Sequence, residues 1–247
     1  MFRTTKALVL REVKYKEADK ILTVLTEDEG KLTVSARGVM RRGSKIAAAC
    51  QLLTFSDMTL FETRGKWYVD EAQTIDQFLG LREDIALLAL GTYFAELLEA
   101  VSDEDSPNPE VLRLGLNSLY ALSSGLFPPE HIKAVFELRL MCLSGYEPSL
   151  DCCPICGKEE MDAPVFSTLG GTVLCGKCRN IDYGETLPLC GASLAAMRHI
   201  AGAENKKIFS FALDEPAAKR LYTICEAYVH AQLDRRFSAL DYWRSVR

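Results

Sequence analysis

The sequence has few of the residues that enzymes use for acid–base chemistry, and it lacks the common catalytic motifs. Its three histidines, His131, His199 and His230, fall in three different predicted helices with no catalytic partner nearby in sequence. No GxxxxGKS/T phosphate loop, HExxH helix or GxSxG turn occurs. These absences leave no residue set for an enzyme, and we expect a protein that binds other molecules without transforming them.

Long apolar runs are also missing. None reaches the roughly 18 residues that a membrane helix requires, and the start, MFRTTKALVLREVKYKEADK, is too charged for a signal peptide. We therefore expect a cytoplasmic protein with no membrane contact. With 247 residues and 48% hydrophobic content, the chain is long enough for one large domain or two smaller ones, each with a core.

Positive charge is scarce overall but unevenly distributed. The net charge is −5, which argues against a wholly basic nucleic-acid binder. Residues 1–80 hold 13 Lys/Arg against 11 Asp/Glu, a net charge of +2, so residues 81–247 carry −7. The N-terminal part is the better candidate for binding a polyanion, and the remainder for binding proteins.

Cysteine, by contrast, is abundant, and four of the nine form two Cys-x-x-Cys pairs separated by eighteen residues. These are Cys153 and Cys156, then Cys175 and Cys178. Two tight turns of this kind can offer four thiolates to one tetrahedral ion, which predicts a structural zinc site with no open position for catalysis. A disulfide pair, a redox motif and a rubredoxin-like iron site are the alternatives, and sequence does not separate iron from zinc. Cys152 is left out of the ligand set.

From Lys6 to Asp76 the pattern has a period of two, which predicts short strands bounded by turns at Glu27–Gly30 and Thr63–Lys66. A short helix capped by Ser44 is expected between the third and fourth strands. Three strands, a helix and two strands is the order of an OB-fold, although an SH3-like barrel would give a similar pattern. The five predicted strands are Lys6–Val13, Lys20–Thr26, Lys31–Arg37, Asp57–Glu62 and Trp67–Ile75.

A loop rich in arginine and glycine, Arg37–Lys45, contains four cations in nine residues and no carboxylate. Phosphates could be neutralised there, with the glycines letting the backbone approach, although a solvated turn has the same composition. Phe61, Trp67 and Tyr68 could add stacking faces or fill the core. The candidate DNA-binding cations are Arg37, Arg41, Arg42 and Lys45 in the loop, with Lys6, Lys14, Arg64 and Lys66 on neighbouring strands and turns.

After Gly80 the period becomes about 3.6, which predicts a helical domain. We expect helices at Leu81–Val101, at Asn108–Ser124 with Asn108 as cap, from Pro128 to about Gly145, at about Ala192–Ala201, and from Asp214 to about Leu240. The segment between the cysteine pairs predicts a hairpin that turns at Gly170 and Gly171. The expected fold is thus α+β, with a barrel domain at 1–80 and a helical domain at 81–247 that carries the metal insert at 153–178.

Several segments are familiar: Ala7–Leu10 with Tyr15, Glu17 and Asp19; LTEDEGKLTVSARGVMRRGSK; YFAELLE; and FELRLMCLSGYEPSLDCCPICG. With them the chain resembles the RecO family of bacterial recombination mediators over its whole length. The resemblance implies an N-terminal OB-fold and a helical domain that carries the cysteine site. It also implies that the protein binds single- and double-stranded DNA, anneals complementary strands and, with RecR, helps to load RecA onto DNA coated by single-stranded-DNA-binding protein.

Two functional hypotheses follow. The first is a DNA-binding and annealing mediator, whose helical domain also binds the acidic C-terminal tail of single-stranded-DNA-binding protein. The second is an adaptor whose barrel docks RecR and binds no DNA itself, which the small positive charge of residues 1–80 keeps open. Some members of the RecO family lack these cysteines, so the metal is expected to support the fold and not the activity.

Overall fold

The computed structural model describes residues 2–247, which divide into two compact units. The first unit comprises the chain up to Ser124 together with Phe237–Arg247, and the second comprises Gly125–Arg236. The sequence predicts a domain boundary near residue 80, and in the structure the strands of the barrel end and the helices begin close to that residue. The two compact units do not divide there, because the first three helices and the last helix belong to the same unit as the barrel.

The first unit contains the predicted five-stranded barrel. Its strands close in the order β1-β2-β3-β5-β4, with β3 and β5 parallel and the other neighbours antiparallel. This order confirms the predicted barrel topology. The strands are β1 (Phe2–Tyr15), β2 (Asp19–Thr26), β3 (Gly30–Ala36), β4 (Phe55–Thr63) and β5 (Lys66–Asp76).

Alternation of side chains along each strand builds the core of the barrel. Ala7 and Val9 on β1 and Leu22 and Val24 on β2 point inward and are fully buried. Leu8, on the other face of β1, is also fully buried, which shows that this part of β1 is covered on both faces.

The helix expected after Ser44 is not formed. Residues 37–54 consist of turns, and the hydrogen bonds from the Ala47 amide to the Ser44 carbonyl and from the Cys50 amide to the Ile46 carbonyl do not continue into a helical series. Nucleating so short a helix is unfavourable. Within this segment, Cys50 is buried against the barrel, and Leu53, near its end, has a positive φ of 57°.

Three helices follow the barrel in the first unit: α1 (Gly80–Glu83), α2 (Ile85–Val101) and α3 (Pro109–Ser123). The single helix predicted at Leu81–Val101 is therefore wrong in its first turn. Asp84 adopts an extended backbone, with φ of −133°, and its carboxylate accepts hydrogen bonds from the amides of Ala86 and Leu87. Asp is favoured at an N-cap over a helix interior, so it ends α1 and starts α2. The predicted cap of α3, Asn108, is confirmed.

In the second unit, one helix precedes the cysteine insert and two helices follow it. Its elements are α4 (Pro129–Leu143), the strands β6 (Val165–Ser167), β7 (Thr172–Leu174) and β8 (Thr186–Pro188), then α5 (Gly191–Gly202) and α6 (Glu215–Leu233). The three strands form an antiparallel sheet with β6 in the centre. The predicted hairpin at Gly170 and Gly171 is confirmed, whereas the third strand, β8, was not predicted.

The long helix predicted from Asp214 to Leu240 is also wrong, because it is two helices. Asp214 caps α6 as expected, but α6 ends at Leu233, and the next residue, Asp234, has a left-handed backbone with φ of 44°. The last helix, α7 (Ser238–Val246), belongs to the first unit, where it packs on α2. There Phe237 packs edge-on against Tyr93.

Candidate functional site

The four cysteines of the two Cys-x-x-Cys pairs come together in the second unit. The thiol sulfurs of Cys153, Cys156, Cys175 and Cys178 all lie within 4.8 Å of one another, close enough to hold one metal ion. The first pair lies in the loop that follows α4, and the second directly follows β7. Across the two pairs, the sulfurs of Cys156 and Cys175 are 3.7 Å apart.

Local turn chemistry builds both cysteine loops. The Gly157 amide donates to the Cys153 carbonyl at 2.8 Å, and the Cys178 amide donates to the Cys175 carbonyl at 2.9 Å. Gly157 has a positive φ of 70°, a conformation in which glycine has no Cβ penalty. In each loop, the turn brings the two thiols close to each other.

The electrostatics of the group suit a cation. Burial opposes ionisation of Cys153, but the amides of Cys175, Cys156 and Ile155 donate to its sulfur and lower the pKa of the thiol to about 6. The pKa of Cys178 is instead raised to about 12, chiefly because its thiol donates to the sulfur of Cys175. Four neighbouring thiols cannot all ionise without a compensating charge, and a bound metal ion supplies that charge.

The surroundings of the group are apolar on one side and cationic on the other. Cys153 and Cys175 are buried against Val165 and Leu174. A hollow of about 300 Å³ beside Cys175 is lined by three exposed basic residues, Lys158, Lys177 and Arg179, and by one acidic residue, Asp162. Cys152 is not part of the group.

A second candidate site is a groove of about 820 Å³ on the barrel. It runs over β2, β3 and β5, and it includes two of the predicted DNA-binding cations, Arg37 and Lys66, beside the half-buried rings of Trp67 and Tyr68. We call it the barrel groove. The other six predicted cations, Lys6, Lys14, Arg41, Arg42, Lys45 and Arg64, do not line it.

The Arg–Gly loop, residues 37–45, has a fixed backbone and exposed side chains. The Gly38 amide donates to the Asp19 carboxylate at 2.7 Å, and the Met40 amide donates to the Ala18 carbonyl at 2.9 Å. These bonds tie the loop to the turn between β1 and β2. The side chains of Arg41, Arg42 and Lys45 are exposed.

The remaining predicted cations are spread over the barrel. Lys6 lies opposite Asp57 in the β1–β4 ladder, and Lys14 lies opposite Lys20 in the β1–β2 ladder. Arg64 occupies the turn between β4 and β5, where its φ is 51°. All three side chains are exposed.

Aromatic side chains in contact form a column beside the barrel groove, in which Phe2 is tilted by 42° against Phe61. The rings of Phe2 and Phe61 have centroids 5.9 Å apart, and those of Phe61 and Tyr68 are stacked at 5.1 Å with an angle of 19°. The guanidinium carbon of Arg37 lies over the Tyr68 ring, 4.1 Å from its centroid. In the same way, Arg3 lies over Trp67 at 5.6 Å.

Sequence reasoning missed Arg3 and Lys16, which also line the groove. Arg3 was missed because the predicted first strand began at Lys6, whereas β1 begins at Phe2. The sequence does contain a signal for the longer strand. Its period of two continues toward the N-terminus, where Phe2, Thr4 and Lys6 alternate with Arg3, Thr5 and Ala7. Lys16 lies at the turn after β1, where its ammonium lies over the Tyr15 ring.

Comparison with known proteins accounts for nearly the whole chain. Residues 1–78 match the family model described as Recombination protein O N terminal, and residues 82–241 match the one described as Recombination protein O C terminal. The chain belongs to the RecO family of DNA repair proteins. The resemblance noted in the sequence is thus confirmed.

Individual relatives are similar over their full length. The chain is 32% identical to the DNA repair protein RecO of Acetivibrio thermocellus, over 98% of this chain and 96% of the relative. It is 29% identical to that of Caldicellulosiruptor bescii over 98% of each chain. For the protein of Symbiobacterium thermophilum the identity is 30%, over 97% of this chain and 96% of the relative.

Two further features concern the helices of this RecO-family chain. Within residues 2–247, none of the helices has the length and apolar character needed to cross a membrane. In the second unit, an apolar groove of about 330 Å³ runs between β8 and α6, with Leu187, Pro188 and Ile224 beside the basic side chains of Lys219 and Arg220. We call it the α6 groove.

Proposed function

We propose that this chain is a non-enzymatic mediator of DNA repair and homologous recombination in the cytoplasm. It binds single- and double-stranded DNA through its barrel domain, residues 1–80, and anneals complementary strands. With RecR it assists the loading of RecA. In this proposal, residues 81–247 supply the metal insert and the contacts with protein partners.

The observation that carries the proposal is the Arg–Gly loop. Its backbone is hydrogen-bonded to Ala18 and Asp19, and it presents Arg41, Arg42 and Lys45 to solvent. No carboxylate occurs within residues 37–45 to neutralise them. Because the backbone of the loop is already fixed, it need not be ordered when the cations bind phosphates, and each contact releases counterions from the DNA.

A salt titration tests this role. Replacing Arg41, Arg42 and Lys45 together by Ala should weaken binding to all DNA sequences alike and flatten the dependence of log K on log salt for single strands by roughly 2. Annealing of complementary strands should decrease in parallel, because it requires two phosphate backbones at one surface. The variant should keep its fold and its metal.

The matched control replaces three exposed cations of the second unit, Lys206, Lys207 and Arg236, by Ala. It changes the net charge by the same amount and should leave the salt slope near that of the parent. If the loop variant is intact and binds like the parent, the DNA site lies elsewhere. A parent that binds no DNA would favour the adaptor hypothesis, in which the barrel docks RecR.

We further propose that the four-cysteine group holds a structural zinc ion. Four sulfur donors around one point suit tetrahedral zinc and leave no open position for a reactive water. Tetrathiolate iron is the alternative. Elemental analysis of protein purified without chelator decides between them, and iron would also give a coloured protein.

The acidic tail of single-stranded-DNA-binding protein is proposed to bind in the α6 groove. Apolar side chains beside Lys219 and Arg220 suit a peptide with an apolar end and acidic residues. Calorimetry with such a peptide and the full chain should show binding that the double variant Lys219→Ala, Arg220→Ala weakens. Equal binding by parent and variant would contradict the assignment.

A further inference from the structure

The barrel groove contains more carboxylates than basic side chains. Its basic side chains are Arg3, Lys16, Arg37 and Lys66, and its carboxylates are Asp19, Glu29, Glu62, Glu104 and Asp105. Arg3 is moreover paired with the carboxylate of Glu29. A groove with five carboxylates and four cations does not attract a phosphate backbone.

Two of these carboxylates come from a loop that is fixed in place. The Lys31 amide donates to the Asp103 carbonyl at 3.1 Å, and Gly30 and Glu104 form a β-bridge. Gly30 permits this approach, because a Cβ there would lie 2.8 Å from the backbone of Ser106. Glu104 and Asp105 are therefore a permanent part of the groove.

The column of side chains gives the groove a different kind of binding surface. Phe61 stacks on the Tyr68 ring, and Arg37 lies over the same ring. Since each face of a ring accommodates one flat group, Arg37 lies on the face that Phe61 leaves open. The guanidinium of Arg37 is exposed, and it forms the end of the column Phe2–Phe61–Tyr68–Arg37.

We propose that the barrel groove binds unpaired nucleobases, with the Arg37 guanidinium as the stacking platform, while the phosphates lie over the Arg–Gly loop. Guanidinium planes stack on bases, and carboxylates accept hydrogen bonds from exocyclic amino groups such as N4 of cytosine. Bases carry no net charge, so the carboxylates of the groove do not repel them. This inference rests on the proposed function, and it changes the predicted role of Arg37 from a phosphate contact to a base contact.

The substitution Arg37→Lys separates the two roles. Lysine keeps the charge but loses the planar group, so it replaces arginine at a phosphate contact and fails to do so at a stacking site. Arg37→Lys and Arg37→Ala should therefore weaken binding of a single-stranded oligonucleotide to the same extent, roughly tenfold, within the range for one stacked base. The salt slope should stay that of the parent in both variants.

Abasic and duplex DNA provide the controls. An abasic oligonucleotide of the same length should bind parent and both variants equally, because there is no base to stack. A duplex should do the same, because its bases are paired. As a matched variant, Arg236→Lys in the second unit, an exposed arginine outside the proposed DNA site, should keep the affinity of the parent for every probe.

The outcomes separate this inference from the proposed function. If Arg37→Lys binds the single strand as the parent does, or if the variants lose affinity for abasic DNA as well, Arg37 is a phosphate contact and this inference is overturned alone. If the parent binds none of the probes, both proposals are overturned. Circular dichroism and the melting temperature verify that each variant is folded.

Discussion

Lys133 and Glu137 form an ion pair one turn apart on α4, with the ammonium nitrogen 2.8 Å from the carboxylate. Both residues are buried, with relative exposures of 3% and 0%. Glu226 on α6 contacts the same ammonium at 2.8 Å. Burial disfavours the charge of Lys133, but the two carboxylates outweigh burial and raise its pKa above the ordinary value.

Replacing Lys133 by Met should destabilise the second unit by about 3–5 kcal/mol near pH 7.5, because it leaves Glu137 buried without its cation. Urea unfolding followed by circular dichroism measures the change. Since the pKa of Lys133 is raised in the folded state, the parent keeps this contribution below about pH 10 and loses it only at higher pH. In the variant, burial without a cation favours the protonated form of Glu137. The difference in unfolding free energy between parent and variant should therefore be smaller at pH 5 than at pH 7.5. The same midpoint for parent and variant at pH 7.5 would contradict this prediction.

Replacing Cys156 by Ser should remove the bound metal and lower the melting temperature. Binding free energy of a structural metal is folding free energy, and a loss of about 3 kcal/mol corresponds to roughly 6–12 °C for a chain of this size. Elemental analysis and thermal unfolding measure the two effects. Cys152→Ser is the control, since Cys152 lies outside the four-cysteine group and this variant should keep its metal. Metal lost from the control, or retained by Cys156→Ser, would require another ligand set.

Replacing Gly30 by Ala should cost more stability than replacing Gly65 by Ala. Both glycines have a positive φ, 72° and 70°, so both variants incur the backbone cost of about 1 kcal/mol. Only at Gly30 does the added Cβ meet the backbone of Ser106, at 2.8 Å. The expected loss there is about 2–3 kcal/mol in urea unfolding. Equal losses for both variants would show that the 103–106 loop moves aside freely.

Acidification should destabilise the second unit through His131. Its ring packs against Phe127 and Phe211, and its Nε2–H donates to the Phe209 carbonyl at 3.1 Å. Burial lowers the pKa of His131, although the bond to Phe209 opposes the effect. The unfolded chain therefore takes up the proton first, and stability should decrease by up to about 1.4 kcal/mol per pH unit below about pH 6.5.

The variant His131→Gln keeps a side-chain donor and removes the titration. Its unfolding free energy should vary less with pH than that of the parent between pH 6.5 and pH 5. Parallel pH profiles for parent and variant would show that His131 does not contribute.

The sequence predicted best those features that depend on neighbouring residues. The strands follow from alternation, and the four cysteines follow from two local turns at a known spacing. The breaks at Asp84 and Asp234 were missed, because an aspartate is compatible with either a helix interior or a helix end until tertiary contacts decide. The Arg37–Tyr68 contact was also out of reach, because it depends on the pairing of β3 with β5, which closes the barrel.

The return of the last helix to the first unit has a consequence for synthesis of the protein. The Glu96 carboxylate of α2 accepts hydrogen bonds from the Ser238 hydroxyl at 2.8 Å and from the Ala239 amide at 3.2 Å. The whole second unit is made before these residues, so it can fold while the first unit still lacks α7. The first unit, which contains the barrel, is therefore completed only after the second unit has been synthesised. A premature stop near residue 236 would leave exposed to solvent the surface of α2 that Phe237 and α7 cover.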